Sequence, residues 1–223
     1  MLPPIADIEN TIGKFGVDND SHVVVVPGGR QKSDFNLATR VYWTFKTLGH
    51  DRVSILDGGD KAWFADSKNP VETGPSSATP RKFAAHFRPD YVVSRDEVKH
   101  TLKSRNAGLI DARPPEQYEG KAKSPSVRVA GTLPGAVNVP AVQVEAADGT
   151  RPADITTIDK VLAGAGVDAK GKQIVFCNTG HLASGTWFML HEVKGNKNAR
   201  LYDGSMADWT SDPLLPVVNG SSK

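Results

Sequence analysis

The chain's one cysteine, Cys177, closes the run "KQIVFC" and is followed by "NTGHLASGTWFMLHEV". A β-branched and aromatic strand stops at the thiol. A short polar loop with one glycine comes next, and residues 183–193 then read as helix, with Trp187, Leu190 and Val193 on one face. The apolar residues 174–176 pin the strand and so fix the position of Sγ. A helix that begins just after the loop points its free N–H groups and the positive end of its dipole at the sulfur. Such a setting lowers a thiol's pKa and supplies a thiolate near neutral pH. No separate general base is then needed, which suits a loop without a carboxylate. The chemistry on offer is that of a nucleophilic thiolate. The competing reading is a cysteine that packs the end of a buried strand. The nucleophilic reading requires loop N–H groups turned toward the sulfur and a thiol open to solvent.

The elements that must hold this loop alternate strand with helix. "DYVVSRDEVKHTLK" (90–103) reads as a short strand, then a helix with Ser94 as N-cap. "AGLIDAR" (107–113) is a strand ending in charge, and "GTLPGAVNVP" (131–140) is a turn and a third strand. "TTIDKVLAGAGV" (156–167) places Ile158, Val161 and Leu162 at helical spacing, and "KQIVFC" and "ARLYD" supply strands four and five. Alternation of this kind predicts an α/β fold, a parallel five-stranded sheet with helices on both faces.

Part of the pattern occurs twice. "GVDNDSHVVVV" (16–26) matches "GVDAKGKQIVF" (166–176), and "LGHDRVSILDGGDKAW" (48–63) matches "KGNKNARLYDGSMADW" (194–209). Asp57-Gly58 aligns with Asp203-Gly204, and Trp63 with Trp209. Pro27 stands where Cys177 stands, with neither a thiol nor an amide proton, so the first copy is expected to be inactive. It holds counterparts of strands four and five only. Its first three strands would precede Met1, so either the chain is N-terminally shortened or its start lies at an internal methionine. The chain divides into a partial non-catalytic unit (1–75), a linker (76–83) within the Pro/Ser/Thr-rich stretch 66–83, and a catalytic unit (84–218). Exposed strand edges in the half unit favour self-association.

Composition narrows the function classes. The 223 residues carry a formal net charge of +2, with 39% hydrophobic and 23% charged residues, an ordinary globular profile. The 27 basic residues are scattered, so no nucleic-acid partner is implied. The longest apolar run is short, so no membrane partner is implied. One cysteine excludes an internal disulfide and a cysteine-based zinc site. His22, His50, His86 and His100 have no visible partners, His191 reads as a surface residue, and neither a metal site nor a cofactor is expected. No signal-like segment is visible. A cytoplasmic location is expected, or a periplasmic one if an export signal lies upstream.

Strand–Cys–loop–helix, preceded by "LIDAR" and "GTLPGAVN" and followed by "LYDGSMADW", resembles the rhodanese family. The tandem-domain thiosulfate and 3-mercaptopyruvate sulfurtransferases resemble the whole chain. The resemblance implies a sulfurtransferase in which Cys177 takes the outer sulfur of a small anionic donor as a persulfide. A thiol or cyanide acceptor then removes it. By position, the main-chain amides of Asn178, Thr179, Gly180, His181, Leu182 and Ala183 would cradle the sulfur, and Arg113 would reach the donor's anionic group. The bland alternative for Arg113 is a partner for Asp111 or Glu116. Asp203 would hold the turn after strand five. Where the family often has a histidine, "GTLPGA" has Thr132, which is expected to cost a structural hydrogen bond. The loop lacks the Arg and Lys of thiosulfate-type members, and Gln117 stands where mercaptopyruvate-type members often have an arginine. The imidazolium of His181 is the candidate replacement for the missing cations, against a plain solvent-facing histidine.

Other functions compete. A cell-cycle-type phosphatase needs a loop one residue longer and an arginine where this chain has Ala183. A thiol protease needs its histidine on a separate element. A non-catalytic persulfide carrier or protein-binding module, and a decayed fragment, remain as alternatives.

Overall fold

Isoleucines spaced along the first helix, α1 (Ile5–Lys14), start the first unit's core: Ile8 and Ile12 turn inward and Ile5 packs beside them. Residues 1–220 are described by the computed structural model. After α1 come β1 (Val23–Val25), α2 (Asp34–Thr47), β2 (Val53–Ile55) and α3 (Gly59–Ala65). β1 and β2 pair in parallel, Val23 against Val53 and Val25 against Ile55. Residues 66–82 carry no helix or strand. Phe83 then packs with Ile8, Ile12, Phe45, Leu48 and Val53, so the chain is still closing the first core at that point.

The second unit begins with a single 3-10 turn, Pro89–Tyr91, followed by α4 (Arg95–Ser104), β3 (Gly108–Asp111) and α5 (Pro115–Tyr118). It continues with β4 (Val137–Asn138), α6 (Ile155–Gly164), β5 (Gln173–Phe176) and α7 (Ala183–Phe188). A π-helical segment, Met189–Val193, β6 (Ala199–Leu201) and α8 (Ser205–Trp209) complete it. The sheet is parallel with order β4-β3-β5-β6. The expected fifth strand is reduced to one bridge, Val92 to Leu201, because Pro89 sets a 3-10 turn where a strand would run. Ser94 caps α4 as read from sequence: its Oγ accepts the N–H of Glu97 at 3.2 Å, and Glu97 returns the bond to Ser94 N–H at 2.9 Å.

Period-two alternation sorts the strand residues between two apolar layers. Ile110, Val175 and Leu201 face one layer; Leu109, Ile174 and Phe176 face the other. The first layer is completed by Trp187, Met189 and Leu190, and by Phe35 and Trp43 of α2. A helix of the first unit therefore lies inside the core of the second. α2 and α7 pack so closely that a Cβ on Gly185 would stand 1.6 Å from Asn36 Oδ1. Glycine is what allows that approach.

The direction of chain travel reverses between β3 and β5: β4 is added on one side of β3, and β5 and β6 on the other. In parallel sheets the crevice for ligands opens at the carboxyl ends of the strands at such a switch point. Asp111 ends β3 there, and Cys177 follows β5 there.

Candidate active site

The backbone around Cys177 is tied to the loop after β6. Cys177 N–H donates to Ser205 Oγ at 3.1 Å, and Ser205 Oγ–H donates to the Tyr202 carbonyl at 2.8 Å. The Cys177 and Asn178 carbonyls accept the N–H groups of Met206 and Ala207 at 3.0 and 2.9 Å. Ser205 holds this arrangement at φ +52°, a left-handed conformation that costs a non-glycine residue energy. Nothing in the sequence marked Ser205 as a site residue.

The carbonyls of Cys177, Asn178, Thr179, His181 and Leu182 are occupied, while the loop's main-chain donors are not. Among the described residues, no protein acceptor takes the N–H of Asn178, Thr179, Gly180, His181, Leu182 or Ala183. Six consecutive unpaired main-chain donors beside one sulfur form an environment for negative charge. The loop between β1 and α2 differs: there the Asp34 carboxylate takes the N–H groups of Arg30 and Gln31, at 2.8 and 3.4 Å. That loop holds its own anion.

Cys177 itself is 1% exposed, so the thiol is closed off in this conformation and the expectation of an open thiol is not met. The enclosure comes from the apolar layer that includes Cys177 and Ala183, against which Leu2 and Leu182 pack. Asn178 and Thr179 are half-buried and His181 is exposed, so the outer side of the loop is the side that faces solvent.

Arg113 lies elsewhere than expected. It is fully buried, and its Nε and Nη2 grip Asp111 at 2.9 and 2.6 Å, while Nη2 also donates to the Gly131 carbonyl. A buried carboxylate needs a counterion, and Arg113 supplies it; its guanidinium is enclosed in this conformation, with Nη1 left without a partner. Thr132 Oγ1 donates to Asp111 Oδ2 at 2.7 Å, so the substitution of threonine costs no hydrogen bond at this point. Gln117, at the position of the family's arginine, accepts from Asn178 Nδ2 at 2.8 Å and so touches the loop.

The guanidinium that does approach the loop is that of Arg40, on α2. Its Nη1 lies 2.6 Å from Asp203 Oδ1, its plane sits 4.7 Å over the Trp43 ring, and a Cβ on Gly180 would be 2.7 Å from Nη1. Gly180 has φ +79°, and both that conformation and this crowding require glycine. Asp203 therefore bridges the two units, taking Arg40 and the N–H of Leu2, and does more than hold its own turn.

His181 bonds to Thr179 through Nδ1 at 3.1 Å. Partial desolvation, and then the positive charge of Arg40, hold its pKa below the ordinary 6.5. The imidazolium expected to replace the missing loop cations is thus disfavoured. His191, expected at the surface, is buried, stacked 4.7 Å from Trp187 and 5.1 Å from Tyr91. His191 stands four residues after the buried Trp187 and so shares its helix face, while Val193 falls off that face and is exposed. No group of three or more metal-ligating side chains occurs among the described residues.

The Rhodanese-like domain family matches residues 94–212, which include the loop, Asp111 and Asp203. The chain belongs to the rhodanese family. A putative thiosulfate sulfurtransferase of Mycobacterium leprae is 34% identical over 218 residues, covering 94% of this chain and 76% of that protein. The structure of SseA from Escherichia coli, described as a 3-mercaptopyruvate sulfotransferase with a rhodanese fold, aligns with a TM-score of 0.77 at 28% identity. It covers 92% of this chain and 74% of that one. EanB aligns with a TM-score of 0.82 at 22% identity over 97% of this chain and 55% of its own, which is a likeness of fold. In this rhodanese the one cysteine, the switch point and the loop with unpaired donors coincide.

Proposed function

We propose that this sulfurtransferase moves a sulfane sulfur from thiosulfate, or a related anionic donor, to cyanide or a thiol through a persulfide on Cys177. The observation that carries the reading is the run of six free N–H groups from Asn178 to Ala183 next to the one thiol. Cys177 is enclosed in this conformation, so the first half-reaction requires the apolar cover of Leu2 and Leu182 to open; the thiolate then attacks the outer sulfur of thiosulfate. An S–S bond forms to Cys177, the bond to the sulfonate sulfur breaks, and sulfite leaves with the electron pair. In the second, cyanide attacks the terminal sulfur and leaves as thiocyanate, and the thiolate returns. Both steps keep negative charge on sulfur beside the loop, where fixed main-chain donors stabilise it without reorganising.

The loop has no arginine or lysine, and the half-buried Asn178 and Thr179 line its outer side. Thiosulfate is the preferred donor over 3-mercaptopyruvate, a preference supported by relatives named as putative thiosulfate sulfurtransferases at 34% and 32% identity. The first unit fits a partial, non-catalytic copy of the same fold. Its order β1–loop–α2–β2–α3 parallels β5–loop–α7–β6–α8, with Pro27 in place of the thiol and Asp34 filling the loop.

Steady-state assays with thiosulfate and with 3-mercaptopyruvate, each with cyanide as acceptor, test the reading. Turnover with thiosulfate, lost in Cys177→Ser, is the expected result. Uptake of one sulfur without turnover would point to a persulfide carrier, and turnover retained in Cys177→Ser would remove the proposal.

A further inference from the structure

The catalytic loop lacks a cation of its own, Arg113 is sealed against Asp111, and His181 is disfavoured as a cation. One cationic side chain nevertheless reaches the loop, and it comes from the other unit. Arg40 is 8% exposed, yet its guanidinium uses only Nη1, on Asp203. Its other N–H groups have no acceptor among the described residues, and those nitrogens are absent from the fully enclosed ones. Trp43 lies beneath the guanidinium and Asp203 at one end, which fixes the fork in place. A guanidinium has five donors in one plane, and a fork with one end tethered and one edge free matches an oxyanion.

We propose that Arg40 is the donor-recognition residue: with Nη1 held on Asp203 beside Gly180, its unpaired Nε and Nη2 bind the oxyanion end of the sulfur donor. This inference rests on the sulfurtransferase reading for its ligand, while its geometry stands on α2 and the loop. The first unit then contributes to specificity even without a nucleophile. Asp203 has a double effect. It orients Arg40, and its negative charge opposes an anion bound to the same guanidinium.

The opposition gives a test that a merely structural role would not satisfy. Thiosulfate itself is the probe, titrated calorimetrically into Cys177→Ser, which cannot accept sulfur. Loss of a charge-assisted fork is worth roughly 10- to 100-fold in affinity. Arg40→Gln in that background is expected to weaken thiosulfate binding by about that factor, and Arg40→Lys by less. Asp203→Asn keeps an oxygen to hold Arg40 and removes the opposing charge, so it is expected to tighten binding. In otherwise wild-type protein the same changes should appear in the KM for thiosulfate, with kcat altered much less. Equal thiosulfate binding with and without the Arg40 guanidinium, no binding to Cys177→Ser at all, or weaker binding in Asp203→Asn would overturn the proposal. If Arg40→Gln fails to fold, Arg40→Lys and Asp203→Asn still decide it. Failure of the sulfurtransferase reading shows separately, as absent turnover in wild-type protein whatever the binding result.

Discussion

Single residues here are governed by what neighbours them in space. Asp111 and Arg113 are two apart in sequence, and each is fully buried, so the pair is held by its own attraction and by the bonds from Thr132 and to Gly131. Removing one member of a buried pair leaves an uncompensated charge, which costs about 3–5 kcal/mol. Arg113→Ala should therefore lower Tm sharply, and the folded fraction should keep the wild-type KM for thiosulfate; a changed KM at unchanged Tm would contradict this placement. For His181 the sign follows from its lowered pKa. The imidazole loses its proton below the ordinary 6.5, so raising the pH further above that value removes little charge from the loop. His181→Ala should give a pH profile of thiosulfate turnover that superimposes on wild type between about pH 6.5 and 8. A fall in the wild-type profile that the substitution flattens would restore the imidazolium. Cys177 was legible from sequence because strand, loop and helix are local. Arg40 was not, since its partner Asp203 lies 163 residues away and no local pattern links them.

At the scale of elements, the account depends on α2 packing against α7. Asn36 approaches Gly185, and Thr39 Oγ1 lies 2.9 Å from Ser184 Oγ at the start of α7, so the two helices share polar contacts next to the loop. Gly185→Ala would force them apart, with an overpacking cost of about 1–3 kcal/mol. Thermal unfolding should show a lower Tm, and thiosulfate turnover should fall with it; an unchanged Tm would mean that the two helices are not in contact. Apolar alternation gave away β3, β5 and β6, and Ile158 and Leu162 turned inward on α6 as their spacing required. Two elements were misread for identifiable reasons. Pro89 converted the first strand into a 3-10 turn with one bridge at Val92, and His191, four residues after the buried Trp187, turns inward on the same helix face.

Across the whole molecule, side chains on either side of the expected unit boundary share cores and hydrogen bonds. Phe35 and Trp43 of α2 sit in the second unit's core, Phe83 sits in the first, and Asp203 and Glu145 of the second unit take bonds from Arg40, Ser33 and Asn36 of the first. Units joined this way should unfold together. Circular dichroism and tryptophan fluorescence should report one coincident thermal transition, and two separated transitions would mean that the first unit folds by itself. This interlocking was not legible in the sequence, because burial of α2 against another unit leaves the same amphipathic pattern as burial in its own. The central claim is that free loop donors keep a sulfur anion on Cys177 and let it carry sulfur. Intact mass after incubation with thiosulfate tests it most directly. The account predicts a gain of roughly 32 Da, one sulfur atom, that maps to Cys177 and disappears on addition of cyanide. Turnover with no such adduct, or an adduct that cyanide does not remove, would contradict it.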